Sequence, residues 1–595
     1  MERAIGKLLL QPRLKEGGSS RRNSTEGLAS LLFHSCIRNT SSNPDASSST
    51  ATAIDLQPFK KLKQTMRLTW PEVAPAEDTT RYELLDILLG LAIHWNENFL
   101  FDVLLVNVST TPLTLYLTCG RPLAAWDQYQ EPDNYAQYVE TYLNLLGLKV
   151  RDEDSLQLLR NVTRDILGAK VDCLKEEHNE ISYRLDLLGP PAPWNPARDW
   201  LSLLNKHFSP DMSWSSDNWI VFERSSLVET FTSLQEKYSP RELLIGLSWV
   251  FIQSYLWLIV DMPRIRFGSY GNLSVDSVFP MKKWSCLDYV HSRLGFLFPN
   301  AIQAPFVRPD LGVLENLKRS AQTLIEKLPW IGSARQQALQ KIRSLTSSPT
   351  PLPEFFDVKS RDKLLETFPR LVPDFGTNFV RSSSWFKHSR RDRHRLGLYG
   401  HRSTSGYAQA SYIYALNSVL VKMEAFQAPL YYANSTIAVL NAGAASMLSR
   451  EVSRVFDPRG SEVDGDGRRV VWWGPNKSRD YSDRLACDLN ASECCTSIRL
   501  FPAVPGLEIA YQAFQEDAHS DSRGPAGWNL AGLDNLTDTQ VFFITYCYAQ
   551  CGQTLNGRGD YCNVPLRNFP PFSRAFKCRV DSRMNPAQKC AFFPS

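Results

Sequence analysis

The chain has 595 residues, more than one hydrophobic core can serve and enough for roughly two to four domains at about 150 residues each. Hydrophobic residues at 43% and charged ones at 22% exclude collagen-like, coiled-coil and wholly disordered chains. With 66 Lys and Arg against 62 Asp and Glu, the net charge of +4 gives no reason to expect a nucleic-acid partner.

Along the chain, residues 16–55 are rich in Ser, Thr, Asn and Gly, a composition for loose segments, interrupted by an apolar patch ending in Cys36. Residues 1–28 are expected to be flexible, and Met1 to Gly17 lack the apolar core and cleavage site of a signal peptide. Tyr82 to Trp95 has helical periodicity, and FLFDVLLVNV followed by TTPLTLYLT predicts a strand pair about a turn. Further amphipathic or apolar helices are predicted at Tyr135–Leu148, Asp154–Glu176, Pro240–Val260, Trp284–Phe298 and Val313–Leu345. Leu243 to Val260 is uncharged for 18 residues and could just span a bilayer. Gly246, Ser248 and Gln253 dilute it and no basic cluster flanks it, so a buried core helix is expected instead. Proline-containing breaks at 349–353 and 366–373 separate this helical half from a basic stretch, Arg381 to Arg402, expected to be a solvated connector.

Eight of the twelve cysteines lie in the last fifth of the chain, which suggests a disulfide framework and an oxidising compartment. A zinc ribbon needs two short Cys pairs, and only Cys547 and Cys551 come close. Sequons agree with export. Beyond Asn23 and Asn39, the candidate glycan sites are Asn107, Asn161, Asn272, Asn434, Asn476, Asn490 and Asn535, against roughly four sequons expected by chance. The tripeptide Arg558-Gly559-Asp560 is read as a chance occurrence.

MLSREVSRVFD (Met447 to Asp457) predicts a helix with Arg450 and Arg454 four apart on one face, which alone reads as a solvated basic face. In this frame the chain resembles the neprilysin and endothelin-converting-enzyme family of zinc endopeptidases, whose helix reads His-Glu-x-x-His-x-Phe-Asp. The resemblance extends from about Leu31 to Ala591. It includes LLFHSCIRN around Cys36, SWVFIQ at Ser248, LPWI at Leu328, GLEIAYQAF at Gly506, VFFITYCYAQC ending at Cys551, FSRAFKC ending at Cys578 and RMNPAQKC ending at Cys590.

The resemblance implies a mainly α fold with minor β, two lobes facing each other across a closed chamber. Residues 29–403 would form the N-terminal helical lobe and 404–595 the C-terminal lobe with a degraded zinc site. It also implies the pairs Cys36–Cys286 and Cys487–Cys590. Family equivalents of Cys551 and Cys578 pair with early cysteines that have no counterpart here. Those two and Cys119, Cys173, Cys494, Cys495, Cys547 and Cys562 are left unassigned.

Zinc peptidases need two imidazoles at i and i+4, a carboxylate ligand and a Glu that takes the proton of the bound water. By resemblance the ligand positions hold Arg450, Arg454 and Arg499. Ala503 stands where an Asp would orient a ligand, Gln409-Ala410 where an Asn-Ala clamps substrate, and Leu555 and Tyr561 where His and Arg stabilise the transition state. A guanidinium has no acceptor and stays protonated. Glu451 alone survives, a relic general base. His388, His394 and His401 lack metal-ligand spacing, and Asp464-Gly465-Asp466-Gly467 reads as a turn.

The expectation is an extracellular protein, secreted or the ectodomain of a membrane protein whose signal or anchor lies outside this chain, that binds peptides or proteins without cutting them and needs no cofactor. Acidic peptides are the expected ligands if Arg450, Arg454 and Arg499 converge on an anion; the alternative is that these arginines turn outward or pair internally, with Glu451 and Asp457 as the nearest partners, and that nothing binds there. The alternatives are an active zinc endopeptidase and a decayed product without selected function.

Overall fold

A computed structural model describes residues 25–38, 55–106, 113–119, 131–148, 153–175, 181–187, 195–210, 212–260, 265–271, 275–294, 312–332, 334–350, 363, 365–389, 410–414, 417–426, 428–432, 434–466, 478–487, 500–520, 535–550 and 560–593. The chain divides into two units. Met1–Ile302 with Pro351–Tyr407 form the first, and Gln303–Thr350 with Ala408–Ser595 the second. The expected single boundary at 403/404 is corrected, because the helices Gly312–Glu326 and Ala334–Arg343 bury their apolar faces in the second unit's core.

At the centre of the first unit lies the helix Pro240–Val260, buried at every position from Leu243 onward. A helix apolar all round belongs in a core or a membrane, and here the surrounding protein covers it. Its few polar groups are satisfied internally. Tyr138 donates its hydroxyl to Gln253 Oε1 at 3.0 Å, and Trp249 donates its indole N–H to Tyr135 Oη at 3.1 Å. Gly246 is required by close approach, since a Cβ there would lie 2.0 Å from Val162 Cγ1 on the helix Glu153–Lys175.

The predicted strand pair is present as β1 (Asp102–Val106) and β2 (Thr114–Thr118), antiparallel with Asp102 opposite Thr118. With β3 (Ile181–Arg184) and β4 (Trp219–Phe222) they make a sheet of order β1-β2-β4-β3. A short hairpin, β5 (Ile265–Arg266) and β6 (Ser269–Tyr270), follows the central helix.

The disulfide Cys36–Cys286 ties the helix Thr25–Arg38 to the helix Val275–Leu294, and Cys119–Cys173 closes a shorter loop. The helix beginning at Thr25 corrects the expectation that flexibility extends to residue 28. Likewise the helix predicted from Trp284 starts at Val275 and runs through Pro280.

In the second unit, the helix predicted over Val313–Leu345 is two helices. Pro329 lacks an N–H and Gly332 has φ of 47°, so the chain passes through a short 3-10 turn between them. It continues into β7 (Thr346–Thr350), which pairs parallel with β9 (Ser418–Lys422). β8 (Ala410–Ile413) lies antiparallel on the other side of β9, giving the order β7-β9-β8. The C-terminal segment is fixed by Cys487–Cys590 and by Glu508, whose carboxyl oxygens accept the Phe592 and Phe593 amides at 3.1 Å each. Burial raises the Glu508 carboxyl to about 8 despite those two donors.

Cys547 pairs with Cys562, and Cys578 carries a free thiol. Cys494, Cys495 and Cys551 lie outside the described residues, as do Asn107, Asn272, Asn476 and Asn490. Asn434 and Asn535 are exposed, whereas Asn161 sits within a helix beside the fully buried sequon residue Thr163.

Candidate functional site

Thr436 caps the helix Ile437–Leu440, accepting the Val439 amide at 3.3 Å, and the chain then widens into a π turn over Asn441–Ala445. Only glycine fits at 443, where a Cβ would lie 2.1 Å from the Leu430 carbonyl oxygen. The helix Ser446–Ser453 follows and tightens into a 3-10 turn over Arg454–Phe456. Its small face, Ser446, Ser449 and Ser453, packs on the helix Leu500–Ser520. Ser449 donates to the Gly506 carbonyl at 2.6 Å, and a Cβ on Gly506 would come within 2.8 Å of Arg450 Cγ. Ala503 is buried on that same helix.

The two arginines separate. Arg450 donates from Nη1 to Gln550 Oε1 at 3.0 Å, with its guanidinium over the Tyr561 ring at 5.6 Å. Arg454 instead donates from Nε to Glu451 Oε2 at 3.0 Å, with Nη1 3.9 Å from Asp457. Glu451, Tyr414 and Asp457 more than offset the burial of this guanidinium, and its pKa moves above the usual arginine range. Of the two outcomes left open by the sequence, convergence on one anion or internal pairing, Arg454 takes the second, and because the last turn tightens the two side chains find different partners. Arg499 and Gln409 lie outside the described residues, as do Leu555, His394 and His401.

Glu451 has a second partner. The same Oε2 accepts the Tyr412 amide at 2.9 Å. β8 is an edge strand, so this N–H faces away from β9, and Glu451 satisfies it. Ala410, the first residue of β8, is buried.

Beneath the helix end Asp457 is buried, accepting the Gly460 amide at 2.7 Å, the Arg459 amide at 3.1 Å and the Tyr414 hydroxyl. Burial raises its pKa even against Arg454. Lys341, from the helix Ala334–Arg343, donates to the carbonyls of Val455 and Gly460, a cation at the end of a helix. Burial pulls it down to about 7, although Asp457 and Asp464 act to hold its proton. Asp464 accepts the Asp466 amide at 2.9 Å, a turn as expected from the sequence.

Lys341, Tyr414, Tyr546 and Gln550 were missed by sequence reasoning. Gln550 alone carried a signal, as the polar end of the apolar VFFITYCYAQC run. Among the described residues no group of three His, Cys, Asp or Glu could hold a metal ion.

The model of Peptidase family M13 matches residues 503–592. Human neprilysin is 22% identical over 459 residues, 69% of this chain and 58% of that protein. Bovine endothelin-converting enzyme 1 is 21% identical over 520 residues, 79% of this chain and 68% of that protein. Over most of its length the chain is thus similar to the neprilysin and endothelin-converting-enzyme family. It spans about three fifths to two thirds of the length of these two relatives. The mainly helical family fold is shared with the Mycobacterium tuberculosis zinc metalloprotease Zmp1 in complex with inhibitor, at a TM-score of 0.58 and 15% identity over 99% of this chain and 92% of that one.

Proposed function

We propose that this chain is a non-catalytic member of the family that binds peptides or proteins outside the cell without hydrolysing them. The observation carrying this reading is the engagement of Glu451 by Arg454 and by the Tyr412 amide. A general base needs an activated water to deprotonate, and here the family's glutamate is instead the counter-ion of an arginine. Zinc does not fit beside it, because a guanidinium offers no lone pair and carries the same sign of charge as the metal. No step of a hydrolytic reaction is therefore assigned to these residues.

The four disulfides among the described residues favour an extracellular setting. The exposed Asn434 and Asn535 are the described sequons best placed for glycans.

The test incubates the purified chain with a mixture of oligopeptides containing internal hydrophobic residues, with and without added zinc, and follows them by mass spectrometry. Peptides should be recovered intact, some of them co-eluting with the protein. Turnover that increases with zinc and disappears in Glu451→Gln would overturn the reading.

A further inference from the structure

Arg450 offers more hydrogen-bond donors than its described neighbours use. One N–H goes to Gln550, and the guanidinium lies over the Tyr561 ring at 5.6 Å from its centroid, which leaves the other N–H groups of its planar fork without an acceptor among the described residues. No carboxylate among the described residues pairs with it. Glu451, its neighbour in sequence, is turned to Arg454 and β8 instead.

Two further donors belong to the helix Asp538–Ala549 and its end. Gln550 is 5% exposed, and while its Oε1 accepts from Arg450, its Nε2 has two N–H groups. Tyr546 lies four residues earlier, hence on the same helical face, and is fully buried with no hydrogen-bond partner for its hydroxyl among the described residues. Burial raises that phenol to about 12, with the Arg450 charge acting in the opposite sense, so it remains a proton donor at neutral pH. A buried hydroxyl left unsatisfied is costly, and the donors left over on Arg450, Gln550 and Tyr546 call for an added acceptor.

The geometry points to a carboxylate-binding site formed by Arg450, Gln550 and Tyr546, which takes the C-terminal carboxylate or an acidic side chain of a bound peptide. Arg450 supplies the charge-assisted hydrogen bonds, Tyr561 holds its plane, and Tyr546 and Gln550 donate from the side. The site rests on the peptide-binding reading above for the source of its ligand.

The test is calorimetric titration of the full chain with four probes at two salt concentrations. These are acetyl-Ala-Leu-Phe as free acid, the same peptide as C-terminal amide, acetyl-Ala-Glu-Phe amide, and sodium acetate. At least one carboxylate peptide should bind about tenfold or more tightly than the neutral amide, and high salt should reduce the difference. Which of the two does so identifies the source of the carboxylate. Arg450→Gln should abolish the preference. Tyr546→Phe should weaken carboxylate binding about threefold to tenfold while leaving thermal stability unchanged or raised, because it removes an unsatisfied polar group.

Equal binding of acid and amide peptides would overturn the carboxylate site and leave the peptide-binding reading standing. Arg450-dependent acetate binding without any peptide binding would do the reverse. Absence of binding by all four probes would discard both, and a Tyr546→Phe variant that loses stability but keeps its affinity would assign that hydroxyl a purely structural role and overturn the site.

Discussion

Arg293→Met is expected to destabilise the first unit by about 3–5 kcal/mol, the cost of leaving a buried charge without its partner. Arg293 is fully buried and donates to Glu97 Oε1 at 2.6 Å and to the Trp95 carbonyl at 3.0 Å, between the rings of Tyr289 and Phe386. Glu97 is 4% exposed and also accepts the Tyr255 hydroxyl at 2.7 Å. Removal of the guanidinium strands that carboxylate in an apolar core, so its energetic effect greatly exceeds that of a surface pair. Adding Glu97→Gln should recover part of the loss, since the double variant no longer buries an uncompensated charge. Denaturant melts of the two single variants and the double variant measure this. Additive losses would show that Arg293 and Glu97 do not depend on one another.

Arg454→Met should have the second-largest effect, about 2–4 kcal/mol on the second unit, reduced from the fully buried case because its side chain is 20% exposed. The change leaves Glu451 and Asp457 without the cation that lies near both. Glu451→Gln in the Arg454→Met background should restore stability, because an amide tolerates the Tyr412 N–H as well as a carboxylate does and carries no charge. The same cycle on Arg450 should cost much less, since its described partners are a neutral amide and a ring. A larger loss at Arg450 than at Arg454 would contradict the division of roles between the two arginines.

The sequence makes the helical character of the chain legible because periodicity is a local property. Tyr135–Leu145, Glu153–Lys175 and Pro240–Val260 fall within a few residues of the predicted spans. The dilution of the last of these by Gly246, Ser248 and Gln253 favoured a core helix over a bilayer span, and its complete burial, with Trp249, Gln253 and Gly246 packed against other helices, bears that out. The break at Pro329 was visible in the residues, but the amphipathic pattern on either side concealed it.

The site shows the same division. Arg450, Glu451 and Arg454 were identifiable from their spacing, and the choice of Glu451 and Asp457 as partners followed from proximity along the chain. The separation of the two arginines was not legible, because it depends on the helix tightening at Arg454 and on Gln550, 100 residues away. Lys341 was equally hidden, as its carbonyl partners lie 114 and 119 residues further on. Long-range contacts of this kind leave no periodic trace in the residues that make them.

Zinc binding tests the proposal that the Arg454–Glu451 pair stands where zinc peptidases hold their metal. Equilibrium dialysis of metal-free protein against micromolar zinc, followed by elemental analysis, should find no zinc above background in the wild type or in Glu451→Gln. About one zinc per chain in the wild type, lost in Glu451→Gln, would contradict it.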